Sequence, residues 1–313
     1  MISPRIAIRA AAIALRGAIW AHQPEVVQLD TSRACNLSCE YCNVKRGGSF
    51  GLPYANMPWQ TFVKAADIFR GNRLILHFAP FMNGDPMLED RLPENVAYAK
   101  RTVGCRSSIV TNGTFTPNRL LLVHPDLDVC FTISAATPET YAKVHGRPLF
   151  DAAISNFQWL AHNKRPSQSL RLHFITTANN AHELPAWTDM FKGYQRTVFP
   201  VHRSALQKDS ELVKGQSFEP YTLDAEGRSI GSSVWSSKHP CPVWNIMAIS
   251  PGGEFMHCCD HPPEYNYGNV FTTPWREAWA RRNATRGEHE LCQSCSLRRP
   301  DYKEIFKKHL GAP

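Results

Sequence analysis

The strongest constraint on the fold is the alternation of strand-like and helix-like segments between residues 25 and 204. Runs rich in branched and aromatic residues predict strands, and segments of helical periodicity lie between them. Six such units in series predict an α/β fold in which a parallel sheet, open or partly closed as a (β/α)6 TIM-like barrel, is covered by helices. The predicted strands are 26–31, 74–79, 107–111, 129–134, 170–176 and 198–201, and the predicted helices are 58–70, 92–103, 117–123, 150–162 and 184–194.

The N-terminal segment, 1–24, contains no acidic residue and predicts a basic amphipathic helix with Arg5, Arg9 and Arg16 on one face. We expect it to pack on the fold with its arginines in water; a membrane-surface or partner role is the alternative. Arg9 and Arg16 interrupt the apolar residues here, and no run of the chain approaches the roughly 18 apolar residues of a membrane span. The sequence therefore predicts no span and no secretory signal, and we expect a cytoplasmic protein.

The remainder of the chain differs in composition and in its predicted secondary structure. Residues 205–240, rich in Gly, Ser and Lys, predict a linker or irregular crossover. Residues 241–313 predict a small second domain, in which a β-hairpin over 245–250 and 254–258 precedes a helix over 274–282 and a terminal helix.

Three of the ten cysteines follow the first predicted strand closely, as Cys35, Cys39 and Cys42. In a chain without an export signal, such cysteines more often bind metal or do chemistry than form disulfides. Three thiolates can hold three irons of a cubane cluster and leave the fourth iron open to a substrate or cofactor. A three-cysteine zinc site, or three unrelated thiols, is the alternative.

The spacing C-x3-C-x2-C, the strand before it and the aromatic Tyr41 before the third cysteine resemble the radical S-adenosylmethionine (SAM) superfamily. The resemblance implies that this [4Fe-4S] cluster, with its open iron, chelates SAM and receives an electron from a donor such as flavodoxin or ferredoxin. Cleavage of SAM then gives methionine and a 5′-deoxyadenosyl radical, which takes a hydrogen atom from the substrate.

Motifs after the later strands extend the resemblance. Asn83-Gly84-Asp85-Pro86 is similar to the family's Gly-Gly-Glu-Pro motif, whose backbone and acid hold the SAM amino group. Asn180 with Glu183 is similar to the family's Asn-x-x-Glu, which implies that Asn180 contacts SAM. The other SAM-binding positions that the resemblance implies are Tyr41 near the adenine, and Thr111, Asn112 and Ser134 in the ribose and carboxylate pocket.

Four cysteines of the C-terminal region form a second set, Cys241, Cys258, Cys292 and Cys295. With the predicted hairpin and helix, they resemble the SPASM/twitch extension of radical SAM enzymes, which implies an auxiliary [4Fe-4S] cluster without an open iron. A structural zinc ribbon is the alternative. Cys259 either exchanges roles with Cys258, donates a hydrogen atom to a substrate radical as cysteines do in some related epimerases, or binds nothing. Cys105 and Cys130 are predicted to be buried core thiols.

The function that the resemblance implies is hydrogen abstraction from a small-molecule substrate of polar character, which leads to dehydrogenation, epimerisation or rearrangement. The formal charge of +8, with arginines crowded near the second cysteine set, keeps open the same chemistry on a modified nucleobase in DNA. A peptide substrate is a further alternative. A hypothesis of a different class is a non-catalytic iron–sulfur or zinc protein that carries electrons or scaffolds partners.

Overall fold

The structure of the chain, a computed structural model, describes residues 22–42, 55–114, 119–200, 221–228, 245–259 and 265–285. The predicted terminal helix and nearly all of the predicted N-terminal helix lie outside the described residues. So do Cys241, Cys292 and Cys295 of the second cysteine set.

The described residues include ten strands and six α-helices. The strands are β1 (Val26–Leu29), β2 (His77–Ala79), β3 (Arg106–Thr111), β4 (Leu127–Thr132), β5 (Leu170–Thr176), β6 (Gln195–Pro200), β7 (Tyr221–Leu223), β8 (Ile246–Ile249), β9 (Glu254–Met256) and β10 (Asn266–Asn269). The helices are α1 (Trp59–Asp67), α2 (Leu92–Thr102), α3 (Pro138–His145), α4 (Phe150–Asn163), α5 (Leu184–Met190) and α6 (Trp275–Thr285).

All of these strands belong to one sheet with the order β10-β9-β8-β1-β2-β3-β4-β5-β6-β7. Strands β1 to β6 are adjacent and parallel, with α-helices in several of the crossovers between them. Since β10 and β7 are the outermost strands, the sheet is open. This arrangement confirms the predicted partial barrel, and it brings the carboxyl ends of six parallel strands to one edge.

The predicted C-terminal hairpin is confirmed as β8 and β9, but it is also joined to the barrel. Strand β8 pairs in parallel with β1, in a register that places Val26 opposite Ile246 and Leu29 opposite Ile249. The C-terminal strands therefore extend the main sheet beyond β1. The strand end that carries Cys258 is thereby tied to the strand that leads into the first cysteine motif.

Three elements differ from the sequence prediction. Strand β7 lies within the predicted linker 205–240 and pairs antiparallel with β6. It has only three residues, too few for an alternation of apolar and polar residues to predict a strand. The predicted helix 117–123 is a 3-10 helix over Arg119–Val123. Helix α3 was not predicted, although its ends carry ordinary signals. Thr137 caps its first turn, and Gly146 follows with a φ of +76°.

Within the described residues, two hydrophobic cores lie between the sheet and the helices. One surrounds the edge-to-face pair Phe131 and Phe157 and contains Trp187. The other contains Phe62, from α1, and Trp279, from α6. Cys105 and Cys130 are buried, as predicted. None of the helices in the described part of the chain has both the length and the apolar character needed to span a membrane.

Trp187 gives a direct test of the first core. Its side chain is fully buried and contacts Phe174 and Phe191 at centroid distances of 5.0 and 5.3 Å. Trp187→Ala should lower the free energy of unfolding by about 3–5 kcal/mol, because it removes a large buried ring and leaves a cavity. The measurement is urea unfolding followed by far-UV circular dichroism. The control is Met190→Ala on the same helix, where the side chain is 47% exposed; an equal loss in both variants would contradict the assigned packing.

Candidate functional site

The cysteine loop, residues 35–42, follows β1 and rests against the end of α3. The N–H of Ser38 donates to the carbonyl of His145 (3.1 Å), and the N–H of Glu40 donates to the carbonyl of Val144 (2.8 Å). The last carbonyls of a helix have no partner within the helix, so the loop satisfies groups that would otherwise need water. The two amides flank Cys39, and they fix its place relative to α3.

The three sulfurs of the loop influence one another. Burial raises the pKa of the Cys39 thiol well above its ordinary value, and the neighbouring Cys42 and Cys35 raise it further. Three ionised thiols in such a place would require a bound cation, which an iron–sulfur cluster would supply. The donor set fits such a cluster, in which each of the three thiolates binds a different iron.

A buried hydroxyl also faces this region without a partner. Tyr141 is fully buried, and among the described residues its hydroxyl has no hydrogen-bond partner. Burial raises the pKa of Tyr141, and the charges of Cys39, Asp85 and Cys35 raise it further. An orphaned donor in the field of the cysteines is what a protein that binds an additional polar group here would show.

His145, which sequence reasoning missed together with α3, contacts the cysteine loop. Its Nδ1 lies 3.2 Å from the Sγ of Cys39, and its Nε2 accepts a hydrogen bond from the N–H of Ser134 at 3.0 Å. Burial lowers the pKa of His145 to about 3, so the ring is neutral at physiological pH.

The Asn83-Gly84-Asp85 segment after β2 is anchored by a residue that sequence reasoning also missed. The buried carboxylate of Asp30, just after β1, accepts from the backbone N–H and the side-chain amide of Asn83, each at 3.1 Å. It also accepts from Nε of Arg33 at 2.7 Å. Asn83 replaces the first glycine of the family motif, and this contact gives that replacement a physical role.

Gly84 lets this segment approach the cysteine loop. Its φ is +99°, and a Cβ added to it would lie 2.5 Å from the carbonyl oxygen of Ala34 and 2.7 Å from that of Ser32. The following N–H, of Asp85, donates to the Ala34 carbonyl at 2.6 Å. Only glycine accommodates both the backbone conformation and the close approach.

The carboxylate of Asp85 is turned into the protein. It accepts from the hydroxyl of Thr111 (2.9 Å), the N–H of Asn112 (2.7 Å) and the N–H of Met87 (2.9 Å). The residue is 3% exposed, and burial raises its pKa. In the structure Asp85 and Thr111 therefore brace the segment after β2 against the end of β3, and both oxygens of the acid already have protein donors.

Asn112 lies beside the first cysteine. Its Nδ2 is 3.8 Å from the Sγ of Cys35 and donates to the Oδ1 of Asn36 at 3.0 Å. Its Oδ1 accepts from the N–H of Thr114. The predicted site residue therefore holds both the start of the cysteine loop and the turn after β3.

Ser134 and Asn180 join the ends of β4 and β5. The Oγ of Ser134 accepts from the N–H of Ile175 at 3.0 Å and lies 3.4 Å from the hydroxyl of Tyr41. Asn180 donates from Nδ2 to the carbonyls of Ser134 and Ile175, and its Oδ1 accepts from the N–H of Thr177. Asn180 is fully buried, and both polar atoms of its side chain have protein hydrogen-bond partners.

Glu183, the acid of the Asn-x-x-Glu pair, caps the start of α3. It accepts from the N–H groups of Ala136 and Thr137 and from the Thr137 hydroxyl. Burial opposes its ionisation, but the hydrogen bonds from Thr137 and Ala136 hold its pKa below the usual range. One end of α3 is thus held by Glu183, and the other end holds the cysteine loop.

Of the second cysteine set, the structure describes the region of Cys258 and its neighbour Cys259, which follow β9 and are partly exposed. The carbonyl of the adjacent His257 accepts from Nε of the buried Arg282 at 2.7 Å, and its Nδ1 lies 2.6 Å from the hydroxyl of Tyr267. These contacts link the strand end that carries Cys258 to α6 and β10.

An open parallel barrel with three cysteines at the end of its first strand is the framework of an iron–sulfur radical enzyme. The Radical SAM superfamily model matches residues 29–184, and the iron-sulfur cluster-binding (SPASM) domain model matches residues 241–296. The chain belongs to the radical SAM superfamily, with a SPASM/twitch domain at its C-terminal side. A [4Fe-4S] cluster and SAM are the cofactors of the first domain, and an auxiliary iron–sulfur cluster is that of the second.

Two curated relatives cover most of the chain. GTP 3′,8-cyclase of Chlorobaculum tepidum is 26% identical over 274 residues, which cover 76% of this chain and 79% of that protein. PqqA peptide cyclase of Xanthomonas oryzae is 24% identical over 321 residues, which cover 89% of this chain and 82% of that protein.

Solved structures show the same fold. Streptococcus suis SuiB bound to its precursor peptide SuiA has a TM-score of 0.64 at 12% identity, covering 95% of this chain and 76% of that one. SuiB bound to S-adenosylmethionine gives the same TM-score, with 77% of that chain covered.

Gly84 allows the close approach of two loops to be tested. Gly84→Ala should lower the free energy of unfolding by more than about 2 kcal/mol, because it adds backbone strain and a clash with two carbonyl oxygens. The control is Gly71→Ala, where φ is +66° but no atom lies within 4 Å of the added Cβ; there about 1 kcal/mol is expected. Urea unfolding measures both, and equal losses would show that the close approach does not exist.

Glu183 gives a pH-dependent prediction. Because its pKa is lower in the folded protein than the ordinary 4.5, its stabilisation is complete above that value and is lost as the pH falls through the folded-state pKa. At pH 7, Glu183→Gln should therefore reduce stability by about 1–3 kcal/mol, and the deficit should shrink below pH 4.5. Urea unfolding at several pH values measures this, with the exposed Glu94→Gln as control. A deficit independent of pH would contradict the prediction.

Proposed function

We propose that Cys35, Cys39 and Cys42 hold the [4Fe-4S] cluster of this radical SAM enzyme. We propose further that the enzyme abstracts a hydrogen atom from a polar, small-molecule substrate. The observation that carries the proposal is the position of these cysteines. They lie on one loop that is held by the end of α3 and flanked by the polar residues that end β3, β4 and β5.

The cluster that Cys35, Cys39 and Cys42 would hold would provide the chemistry of one-electron reductive SAM cleavage. The chain's residues supply the setting. We assign Asn112 and Tyr41, beside Cys35 and Ser134, to the wall of the SAM pocket, and the backbone at Gly84 to its floor. Four further residues would support the SAM pocket indirectly, by holding the strand ends in place: Asp85, Thr111, Ser134 and Asn180.

The inner face of the barrel supports a polar substrate. Leu172 and Phe174 of β5 pack in the core beneath the helices, so Arg171 and His173 on the same strand point to the opposite, concave face. By the same alternation Gln28 of β1 lies on this face. The Nε of Arg171 and the Oε1 of Gln28 are buried, and among the described residues they have no hydrogen-bond partner. A polar molecule in the barrel would satisfy such groups.

His173 lies on the same face, two residues closer than Arg171 to the carboxyl end of β5. Its ring is 4.9 Å from that of Phe199, and burial together with the charge of Arg171 lowers its pKa to about 3. A neutral imidazole that can donate and accept suits a polar uncharged group such as a hydroxyl. We therefore expect His173 to contact the substrate.

The fate of the substrate radical depends on the auxiliary cluster, which we assign to Cys241, Cys258, Cys292 and Cys295. Dehydrogenation would use this cluster as an electron acceptor, whereas epimerisation would need a hydrogen donor such as Cys259. The two curated relatives are named cyclases, so ring formation is a rearrangement to be tested as well. A peptide substrate is the second candidate, favoured by the similarity to PqqA peptide cyclase. Flavodoxin or ferredoxin is the electron donor that we propose.

Reductive cleavage tests the proposed cysteines. Anaerobic reconstitution with iron and sulfide, followed by SAM and dithionite, should release 5′-deoxyadenosine from the wild type. Cys39→Ala should reduce the rate at least 100-fold, because the cluster loses one of its three ligands, whereas Cys105→Ala in the second core should keep it within about threefold, a small change in barrier. Product release is measured by chromatography. Undiminished release by Cys39→Ala would overturn the assignment.

Two further measurements separate the substrate classes. Each candidate substrate class is represented by one compound deuterated at its reacting carbon: an aminocyclitol, GTP or a synthetic peptide. Only a compound that is a substrate should transfer deuterium to 5′-deoxyadenosine. Duplex DNA should bind with strong salt dependence if nucleic acid is the substrate. Absence of DNA binding at low salt would remove that version, and absence of any 5′-deoxyadenosine would favour the electron-carrier or scaffold hypothesis.

A further inference from the structure

The direction of the contact between His145 and Cys39 follows from the backbone. The N–H of Ser134 lies 3.0 Å from Nε2 of His145. A backbone N–H can only donate, so Nε2 is an acceptor and carries no proton. In a neutral imidazole the proton is then on Nδ1, which lies 3.2 Å from the Sγ of Cys39. The imidazole therefore donates an N–H···S hydrogen bond to the sulfur.

The ring has little freedom to adopt another orientation. Tyr141, one turn earlier on α3, stacks on it at a centroid distance of 4.2 Å and an interplanar angle of 27°. Tyr41 of the cysteine loop packs edge-on at 5.9 Å. His145 is fully buried, and its own carbonyl accepts from the N–H of Ser38. The imidazole and the cysteine loop are thus fixed to the same helix end.

We propose that His145 is a positioning residue that sets the reduction potential of the SAM-binding cluster by donating a hydrogen bond to the thiolate of Cys39. This inference rests on the proposed function, in which Cys39 is a cluster ligand. Hydrogen bonds to the sulfurs are among the factors that determine the potentials of iron–sulfur clusters. An added electron increases the negative charge on the thiolates, so a fixed donor in a dry environment stabilises the reduced state more than the oxidised state. His145 therefore makes the cluster easier to reduce.

The test is an EPR-monitored redox titration of the reconstituted full chain, in which the cluster whose signal responds to SAM is followed. His145→Phe keeps an aromatic ring but removes the donor. At a fixed potential it should lower the ratio of reduced to oxidised cluster about tenfold, equivalent to about 59 mV for a one-electron couple. His145→Asn, whose amide N–H can take the place of Nδ1–H, should recover most of the shift. Equal potentials in wild type and His145→Phe, with equal iron content, would overturn the inference.

Two additions keep the result decisive. If His145→Phe does not hold iron, wild-type protein labelled with 15N-histidine is used instead. Pulsed EPR should then detect one 15N coupled to the SAM-responsive cluster, and no coupling would overturn the inference.

Cys39→Ala separates this proposal from the proposed function. A SAM-responsive signal that persists in Cys39→Ala overturns the ligand assignment itself, whereas its loss, with an unchanged potential in His145→Phe, overturns the role of His145 alone.

Discussion

The site depends on the contact between the end of α3 and the cysteine loop. Two backbone amides of the loop, from Ser38 and Glu40, donate to the last carbonyls of the helix. Under the proposed function, this loop holds a cluster whose fourth iron has no protein ligand, so the cluster alone does not fix the shape of the loop. Its geometry has to come from the protein, and here it comes from hydrogen bonds that the helix end must make in any case. The side chain of His145 adds a contact to the sulfur itself.

The polar residues around this loop act mainly on one another. Asp85, Asn180 and Glu183 are buried. The carboxylates of Asp85 and Glu183 accept from backbone amides of neighbouring loops, and the side-chain amide of Asn180 donates to the Ser134 carbonyl after β4. Each bond of this kind ties the carboxyl end of one strand to the next. A fully satisfied buried network is rigid, and unpaired members would be costly. Residues of a motif can therefore be essential to SAM binding through the backbone that they hold, without their side chains touching the cofactor.

Much of this arrangement could be predicted from sequence. The strand and helix periodicities give the order of the barrel, and the spacing of Cys35, Cys39 and Cys42 marks the loop that the structure places after β1. The positions after β3, β4 and β5 follow from the rule that sites lie at the carboxyl ends of parallel strands.

His145 and Asp30 could not be found this way. A lone histidine at the end of a short helix and an aspartate after a strand carry no spacing signal, and their roles come from partners distant in sequence, such as Ser134 and Asn83. The side-chain direction of Asp85 likewise depends on tertiary donors. Pairing of β8 with β1, across more than two hundred residues, leaves no local pattern.

That parallel pairing has a mechanical consequence. Four consecutive residues of β1 run in register with β8, and the N–H of Asp30 continues the pairing to the carbonyl of Ile249. The stretch that leads to Cys35 and the hairpin that leads to Cys258 consequently share one backbone hydrogen-bond ladder. Their spacing is governed by strand geometry, which is stiff, and not by how much polypeptide connects β6 to β8. Insertions or deletions in that connection would therefore leave the separation of β1 and β8 unchanged, and with it, under the proposed cysteine assignments, the distance between the two clusters.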